Sequence, residues 1–577
     1  MRAIATGMLA TALLLPLQAA AKIDVAIPEV SDAIETNVRA FLSLTRYADR
    51  DDVTPEVMSR LQRRIVTETR QALEPLGFYE PEVTYEVKQE GDLWRVTIHI
   101  QPGRPVRLSE VNINVVGPGA NDRAIRELLA EQEIKPGLRL NHGTYDRVKG
   151  NLVRVAKQEG YLEARITRHD LVIDRAERRA NVDLEADTGE RYLFGEINIA
   201  QDVITDEAMR RLLRMHPGDP YTLDTLLRTQ YVLDDTQYFS VVDIESGDPD
   251  PVTRTVPMTV TAEPSRKHRY AAAVGYGTDT KARGKFTWDN RRVNQDGHKF
   301  KLELLGSSIV TDLTGRYIVP VMDIALEKLE FTGTLRDEEL GDTRSKRAEV
   351  SAGLTQVLGR WQRVLRVAVA EEESIEADGT SSTNFYIVPS VGFSTLPSYI
   401  IGSRRRPYSF AAELRGSPET LGSDASFLQL RMKGERIFDI TELWHLHLRG
   451  ELGISRIAAT SDLPTSQRFF AGGENSVRGF ALNELSPKDD QGRTVGGRNL
   501  ATGTFEVVRD LPRNFGIAAF YDFGNAFDEF RKPELQYSAG LGARYNIAVA
   551  SFGVDVAQAL SEPGRSPRVH LYIATQF

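Results

Sequence analysis

His445 and His447 are the side chains here with the clearest reactive potential. Two imidazoles two positions apart on an extended strand share a face, and such a pair can hold a metal ion. No third ligand accompanies them, so the pair reads as polar lining of a strand face. Other reactive patterns are missing. The chain has no Gly-x-Ser-x-Gly, no His-Glu-x-x-His and no Gly-Lys-Ser/Thr phosphate loop. Gly275-x-Gly277 and Gly540-x-Gly542 lack the rest of a dinucleotide fingerprint. Cysteine is absent, which excludes disulfides and thiolate metal sites. These observations predict a protein that is not an enzyme and carries no cofactor. What remains is electrostatic chemistry at one arginine. Arg478 lies in Arg468-Phe469-Phe470-Ala471-Gly472-Gly473-Glu474-Asn475-Ser476-Val477-Arg478-Gly479-Phe480, where glycines permit tight turns and aromatics can anchor a loop. A buried guanidinium needs an acid. Asp522 is the one acid in Ile517–Gly524, and alternation there sets Phe520, Asp522 and Gly524 on one face and Ile517, Ala519, Tyr521 and Phe523 on the other. Spacing alone leaves two readings of Asp522, a partner for Arg478 or a solvated pore lining.

The elements that would position these residues fall into two regimes. The chain has 577 residues, 41% apolar and 27% charged, so several units are expected. A net charge of -9 disfavours nucleic acid as a partner. Residues 1–21 read as a signal peptide. Arg2 supplies the positive start, Met8 to Leu17 the apolar stretch and Ala19-Ala20-Ala21 the cleavage site. No later run is apolar enough for a spanning helix.

From Lys22 to Pro264 helix and strand alternate, and the order recurs. Helical spacing over Val53–Ala72 leads to Gly77-Phe78-Tyr79, then to strands Val83–Val87 and Leu93–Ile100. A helix over Tyr145–Lys157 leads to Gly160-Tyr161 and strands Ala164–Ile173 and Ala180–Ala186. A helix over Leu223–Leu233 leads to Gln237-Tyr238-Phe239 and strands Val241–Ser246 and Val256–Ala262. Three α+β modules are therefore expected at 22–103, 104–189 and 190–264.

From 265 to 577 strict alternation takes over. Trp444, Leu446 and Leu448 alternate with His445, His447 and Arg449, and Tyr537 to Tyr545 alternates likewise. No helix covers these strands, so the apolar face is expected to meet lipid, in an all-β transmembrane barrel of about sixteen antiparallel strands, a total that rests partly on the family resemblance named next. Hydropathy alone allows fourteen to eighteen. Counting back from a periplasmic C-terminus makes residues 459–499 a long outer loop. The barrel must also join its first strand, Tyr270 to Gly277, to its last, Arg568 to Phe577. The first is rich in Ala and Gly, weak strand formers, so Tyr270, Gly275, Gly277 and Phe577 mark a weak seam.

The Val477-Arg478-Gly479-Phe480 run resembles the inward-folding loop of BamA/TamA-type outer-membrane assembly barrels, and the repeated modules resemble POTRA domains. Asn37 to Ser43, Gly77-Phe78-Tyr79, and Gly496-Gly497-Arg498-Asn499 followed by Leu500 to Gly503 look like the TamA branch, as do three POTRA modules. The resemblance implies a lumen lock formed by Arg478, Gly479 and Phe480 against Asp522 and Phe520, and a seam that opens laterally. It implies a TamB-like inner-membrane-anchored partner, unfolded outer-membrane and autotransporter clients, and contact with outer-membrane lipid. The function it implies is insertion of β-barrel proteins into the outer membrane. A two-partner-secretion-type pore, a general assembly subunit of BamA type and a passive porin are the alternatives.

Overall fold

The computed structural model describes residues 23–48, 50, 53–91, 93–396, 408–531, 533–547 and 550–575. Residues 1–21, expected above to be a signal peptide, and Phe577 lie outside the described residues. The chain divides into two compact units. One is Met1–Ile197 with Met215–Leu226 and Ser246–Met258; the other is Asn198–Arg214 with Leu227–Glu245 and Thr259–Phe577.

Three N-terminal α/β modules come first in the chain. The first contains β1 (Ile23–Ala26), α1 (Asp32–Phe41), α2 (Ser43–Arg46), α3 (Pro55–Leu73), β2 (Glu82–Glu90) and β3 (Leu93–Gln101), with sheet order β1-β3-β2. Helix α3 starts where it does because the Thr54 side chain accepts from the Val57 amide and Pro55 tolerates the first turn. Met58, Leu61 and Ile65, at helical spacing, bury in one core with Val96 and Ile98 of β3. The second module contains β4 (Arg107–Val116), α4 (Arg123–Ala130), α5 (His142–Gln158), β5 (Arg165–Asp174) and β6 (Arg179–Asp187), in order β4-β6-β5. The third contains β7 (Leu193–Ala200), α6 (Asp206–Leu212), α7 (Leu223–Asp235), β8 (Phe239–Ser246) and β9 (Thr255–Pro264), in order β7-β9-β8.

The three break sites share one backbone conformation, with φ of 87° at Gly77, 91° at Gly160 and 60° at Gln237. Each hands the chain to the next segment. The Gly77 carbonyl accepts from the Val106 amide and the Gly160 carbonyl from the Tyr192 amide. The Gln237 carbonyl accepts from the Ser265 hydroxyl. Periodicity had shown two strands per module; the structure adds the strand that opens each one. That strand is only four residues long in β1, and β1 and β4 pair in parallel with a distant strand, so no hairpin turn announces them.

After Pro264 the chain forms a closed barrel of sixteen strands in sequence order. They are β10 (His268–Gly277), β11 (Lys281–Asn290), β12 (Lys299–Ser307), β13 (Val310–Pro320), β14 (Lys328–Leu340), β15 (Thr343–Leu358), β16 (Trp361–Ile375) and β17 (Ser381–Thr395), then β18 (Tyr408–Ser417), β19 (Phe427–Asp439), β20 (Trp444–Arg456), β21 (Asn499–Leu511), β22 (Phe515–Phe527), β23 (Gln536–Ile547), β24 (Ala550–Ala559) and β25 (Arg568–Thr575). Alternation decides the two faces. Tyr521, Leu541, Val554 and Leu571 are exposed on the outside, while Asp522 and Asp555, one position away, are buried within. No helix among the described residues is long and apolar enough to cross a membrane; the strands do the crossing.

Candidate functional site

Between β20 and β21 the chain runs through residues 457–498 without regular strand, and this inner loop folds against the lumen wall. Its core is its own: Phe469, Ala471, Val477, Phe480 and Leu485 bury together against Leu500 and Ala526 of the wall. Burial of this apolar set is what keeps a long glycine-rich segment ordered.

Arg478 is 3% exposed and sits at the centre of a charge cluster. Its Nε donates to Asp522 Oδ2 at 2.8 Å and its Nη2 to Asp522 Oδ1 at 3.0 Å, a bidentate pair. Its Nη1 donates to Glu506 at 2.7 Å and to Asp555 at 3.1 Å. The Arg478 amide also donates to Asp522 Oδ2 at 3.1 Å. The guanidinium lies 3.3 Å from the centre of the Phe520 ring, a cation–π contact in a desolvated place. Arg544 is the second cation; its Nη2 donates to Asp555 at 3.1 Å and stands 3.6 Å from Glu506. Two guanidiniums thus face three carboxylates drawn from β21, β22 and β24.

Small residues make the room. A side chain at Gly540 would meet the Phe520 ring and the Val556 carbonyl, each at 2.3 Å, so Gly540 is the gap into which Phe520 fits beneath Arg478. Gly479 adopts φ of +93°, and its amide donates to His570 Nε2 of β25 at 3.3 Å. Phe480 is fully buried, with the Arg565 guanidinium 4.8 Å from its ring centre.

Sequence reasoning had named Arg478, Gly479, Phe480, Phe520 and Asp522, and the structure brings these five together. It missed Glu506, Asp555, Arg544 and His570. Lumen-facing parity in the alternation would have flagged all four as candidates, but not as neighbours. It also missed a second anchor. Arg468 makes a bidentate pair with Glu376, at 2.9 and 2.6 Å, and donates to the Leu463 carbonyl at 2.9 Å. Beside it the Ser466 amide donates to Glu372 of β16 at 2.8 Å. The loop is therefore tied to opposite stretches of the strand order, β16 and β22–β25.

His445 is buried between carboxylates, with Nδ1 2.5 Å from Asp439 and Nε2 3.2 Å from Asp510. His447 lines a lumen cavity of about 780 Å³ with Arg449, Glu506 and Arg544. Among the described residues no group of three or more His, Cys, Asp or Glu could hold a metal.

The seam closes the barrel with little backbone pairing. Among the described residues β10 meets β25 at two positions, Tyr276 with Ile573 and Gly277 with Tyr572. The neighbouring ladders have ten pairs (β10 with β11) and eight (β24 with β25). The Thr278 amide adds one bond to the Leu571 carbonyl, 3.1 Å. Gly275 lies where an added side chain would stand 3.0 Å from the Ile573 carbonyl. Tyr270 pairs with Trp288 of β11 and is exposed on the outer face.

Comparison with known proteins agrees with this architecture. Residues 366–577 match the Omp85 superfamily domain. Residues 24–102 match the model described as POTRA domain TamA domain 1, and residues 192–264 the POTRA model described as surface antigen variable number repeat. The outer membrane protein assembly factor BamA of Nitratidesulfovibrio vulgaris is 23% identical over 360 residues, covering 59% of this chain and 45% of that protein. The BamA of Neisseria meningitidis serogroup B is 30% identical over 120 residues, covering 19% of this chain and 15% of that protein. The chain thus spans less than half the length of these curated relatives. Among solved structures, BamA from Haemophilus ducreyi lacking POTRA domains 1–3 superposes with a TM-score of 0.63 at 14% identity, covering 82% of this chain and 99% of that one.

Proposed function

We propose that this chain, an outer-membrane β-barrel of the Omp85 superfamily with N-terminal POTRA domains in the periplasm, assembles and inserts other β-barrel proteins into the outer membrane, autotransporters among them. The observation that carries the reading is the seam, where β10 and β25 form two residue pairs among the described residues. Most of β10, from Tyr270 to Gly275, offers backbone donors and acceptors with no described pairing to β25. An edge in that state accepts an extended client segment by strand addition. In this reading the Arg478 cluster locks the inner loop in the lumen, so opening the wall does not open an aqueous pore. No nucleotide is required; the client's own folding into lipid supplies the free energy.

The match of residues 24–102 to a TamA-type first POTRA domain, and the three modules, favour the TamA branch with a TamB-like inner-membrane-anchored partner. The named function of the two curated relatives favours a general assembly subunit instead. Purification of the tagged chain from outer membranes separates these: recovery of a TamB-like protein supports the first, and general loss of barrels on depletion supports the second.

Insertion itself is tested at the seam. The chain has no cysteine, so Tyr276→Cys with Ile573→Cys makes a single possible disulfide. Oxidation is expected to stop client insertion into vesicles and reductant to restore it. Undiminished insertion through the closed disulfide overturns the reading.

A further inference from the structure

The inner loop contacts the last strand and the turn that follows the first strand, and one carboxylate ties those contacts together. Asp279 stands in the turn between β10 and β11, on the outer side. Its side chain is 4% exposed. Oδ2 accepts from the Glu474 amide of the inner loop at 2.8 Å. The same oxygen lies 3.7 Å from His570 Nδ1 of β25, and Oδ1 lies 3.6 Å from Arg568 of β25. His570, fully buried, takes the Gly479 amide at Nε2. With Nε2 taken up by the Gly479 amide, the Nδ1 edge of the ring lies toward Asp279. The contacts form a circuit: first hairpin to loop, loop to last strand, and last strand back to first hairpin.

We propose that Asp279 and His570 are positioning residues of a clasp through which the inner loop holds the seam shut. The two backbone pairs among the described residues are a weak closure for neighbouring strands. The clasp adds side-chain closure at the outer end, where Gly277 and Thr278 meet Tyr572 and Leu571. The consequence is directional. Movement of the loop releases β10 from β25, and a strand invading the seam disturbs the loop. This inference rests on the reading above only in taking the seam as the wall that opens.

Hydrogen exchange of the full chain in lipid nanodiscs tests it, because amide exchange follows the opening equilibrium of each segment. Asp279→Ala is expected to speed exchange in residues 268–277 and 568–573 by about ten-fold, the scale of losing one charge-assisted bond. Strands β14–β16 should be unaffected. Asp279→Asn keeps an acceptor for the Glu474 amide and should fall between. The oxidised Tyr276→Cys/Ile573→Cys pair should return exchange to the slow value. Unchanged seam exchange in Asp279→Ala overturns the clasp, and so does acceleration spread evenly around the barrel. Faster seam exchange in Asp279→Ala, together with client insertion that persists through the closed seam disulfide, supports the clasp while counting against the insertion reading, so the two fail separately.

Discussion

Arg478 gives up its water on entering the lumen, and carboxylate oxygens from three strands replace it. Truncating it leaves Asp522, fully buried, and Asp555 without their shared partner. Removing one member of a buried ion cluster typically costs about 3–5 kcal/mol. Arg478→Ala is therefore expected to free the inner loop for trypsin and to abolish the heat-resistant folded form on gels. Arg478→Lys should recover little, because an ammonium can neither chelate Asp522 nor stack on Phe520 in the same pose. Full resistance in both variants would remove the lock. Gly540 tests the packing beneath it. Gly540→Ala drives a methyl into the Phe520 ring and the backbone of β24, an overpacking cost of about 1–3 kcal/mol. Gly333→Ala, with nothing within 4 Å, is the matched control. Equal denaturation midpoints for the two would show that Phe520 has space to spare.

The inner loop, as an element, is fixed at its rim as well as its centre. Thr494 bonds Asp342 in the β14–β15 turn, Arg498 bonds Asp528 after β22, and Arg565 before β25 pairs with Glu484 at 2.6 Å. Burial pushes the Glu484 carboxyl up, but hydrogen bonds from Arg565 and the Ala481 amide outweigh it, leaving it below the ordinary carboxylate range. A depressed carboxyl stabilises the native state above its unfolded value of about 4.3 and loses that stabilisation as pH falls through the folded value. Pepsin cleavage of the loop should therefore rise as pH drops below about 4, with a smaller rise in Glu484→Gln. Identical acid profiles would rule this tie out as a contributor. The loop's two arginines also differ in legibility. The aromatic-glycine context drew attention to Arg478. Arg468 opens the same run, yet its partner Glu376 stands in a different outer turn, 92 positions away, and nothing local marks that pairing.

At the scale of the whole molecule, the first module buries a core made from its own residues between Ile23 and Ile100. Deleting residues 24–102 is therefore expected to leave the barrel heat-resistant while client insertion falls to the level of protein-free vesicles. Insertion at the full-length rate would show that the first module serves neither client nor partner.

Period-two alternation after residue 264 and helical spacing before it were legible in the chain because each is local: side chains two positions apart on a strand, or three or four apart on a helix, report the face they share. That much determined a repeat of α/β modules followed by a lipid-facing barrel, the inward side of Asp522, and the Ala- and Gly-rich first strand. The opening strands β1, β4 and β7 stayed hidden because their partners are remote in sequence. The charge cluster stayed hidden for the same reason at larger range. Glu506, Asp522, Arg544 and Asp555 share only lumen-facing parity, and their meeting depends on the stagger of three ladders in a closed wall. Closure likewise decided which residues of β10 and β25 meet, Tyr276 with Ile573 and Gly277 with Tyr572, a register set across the whole ring, which no segment of the chain contains by itself.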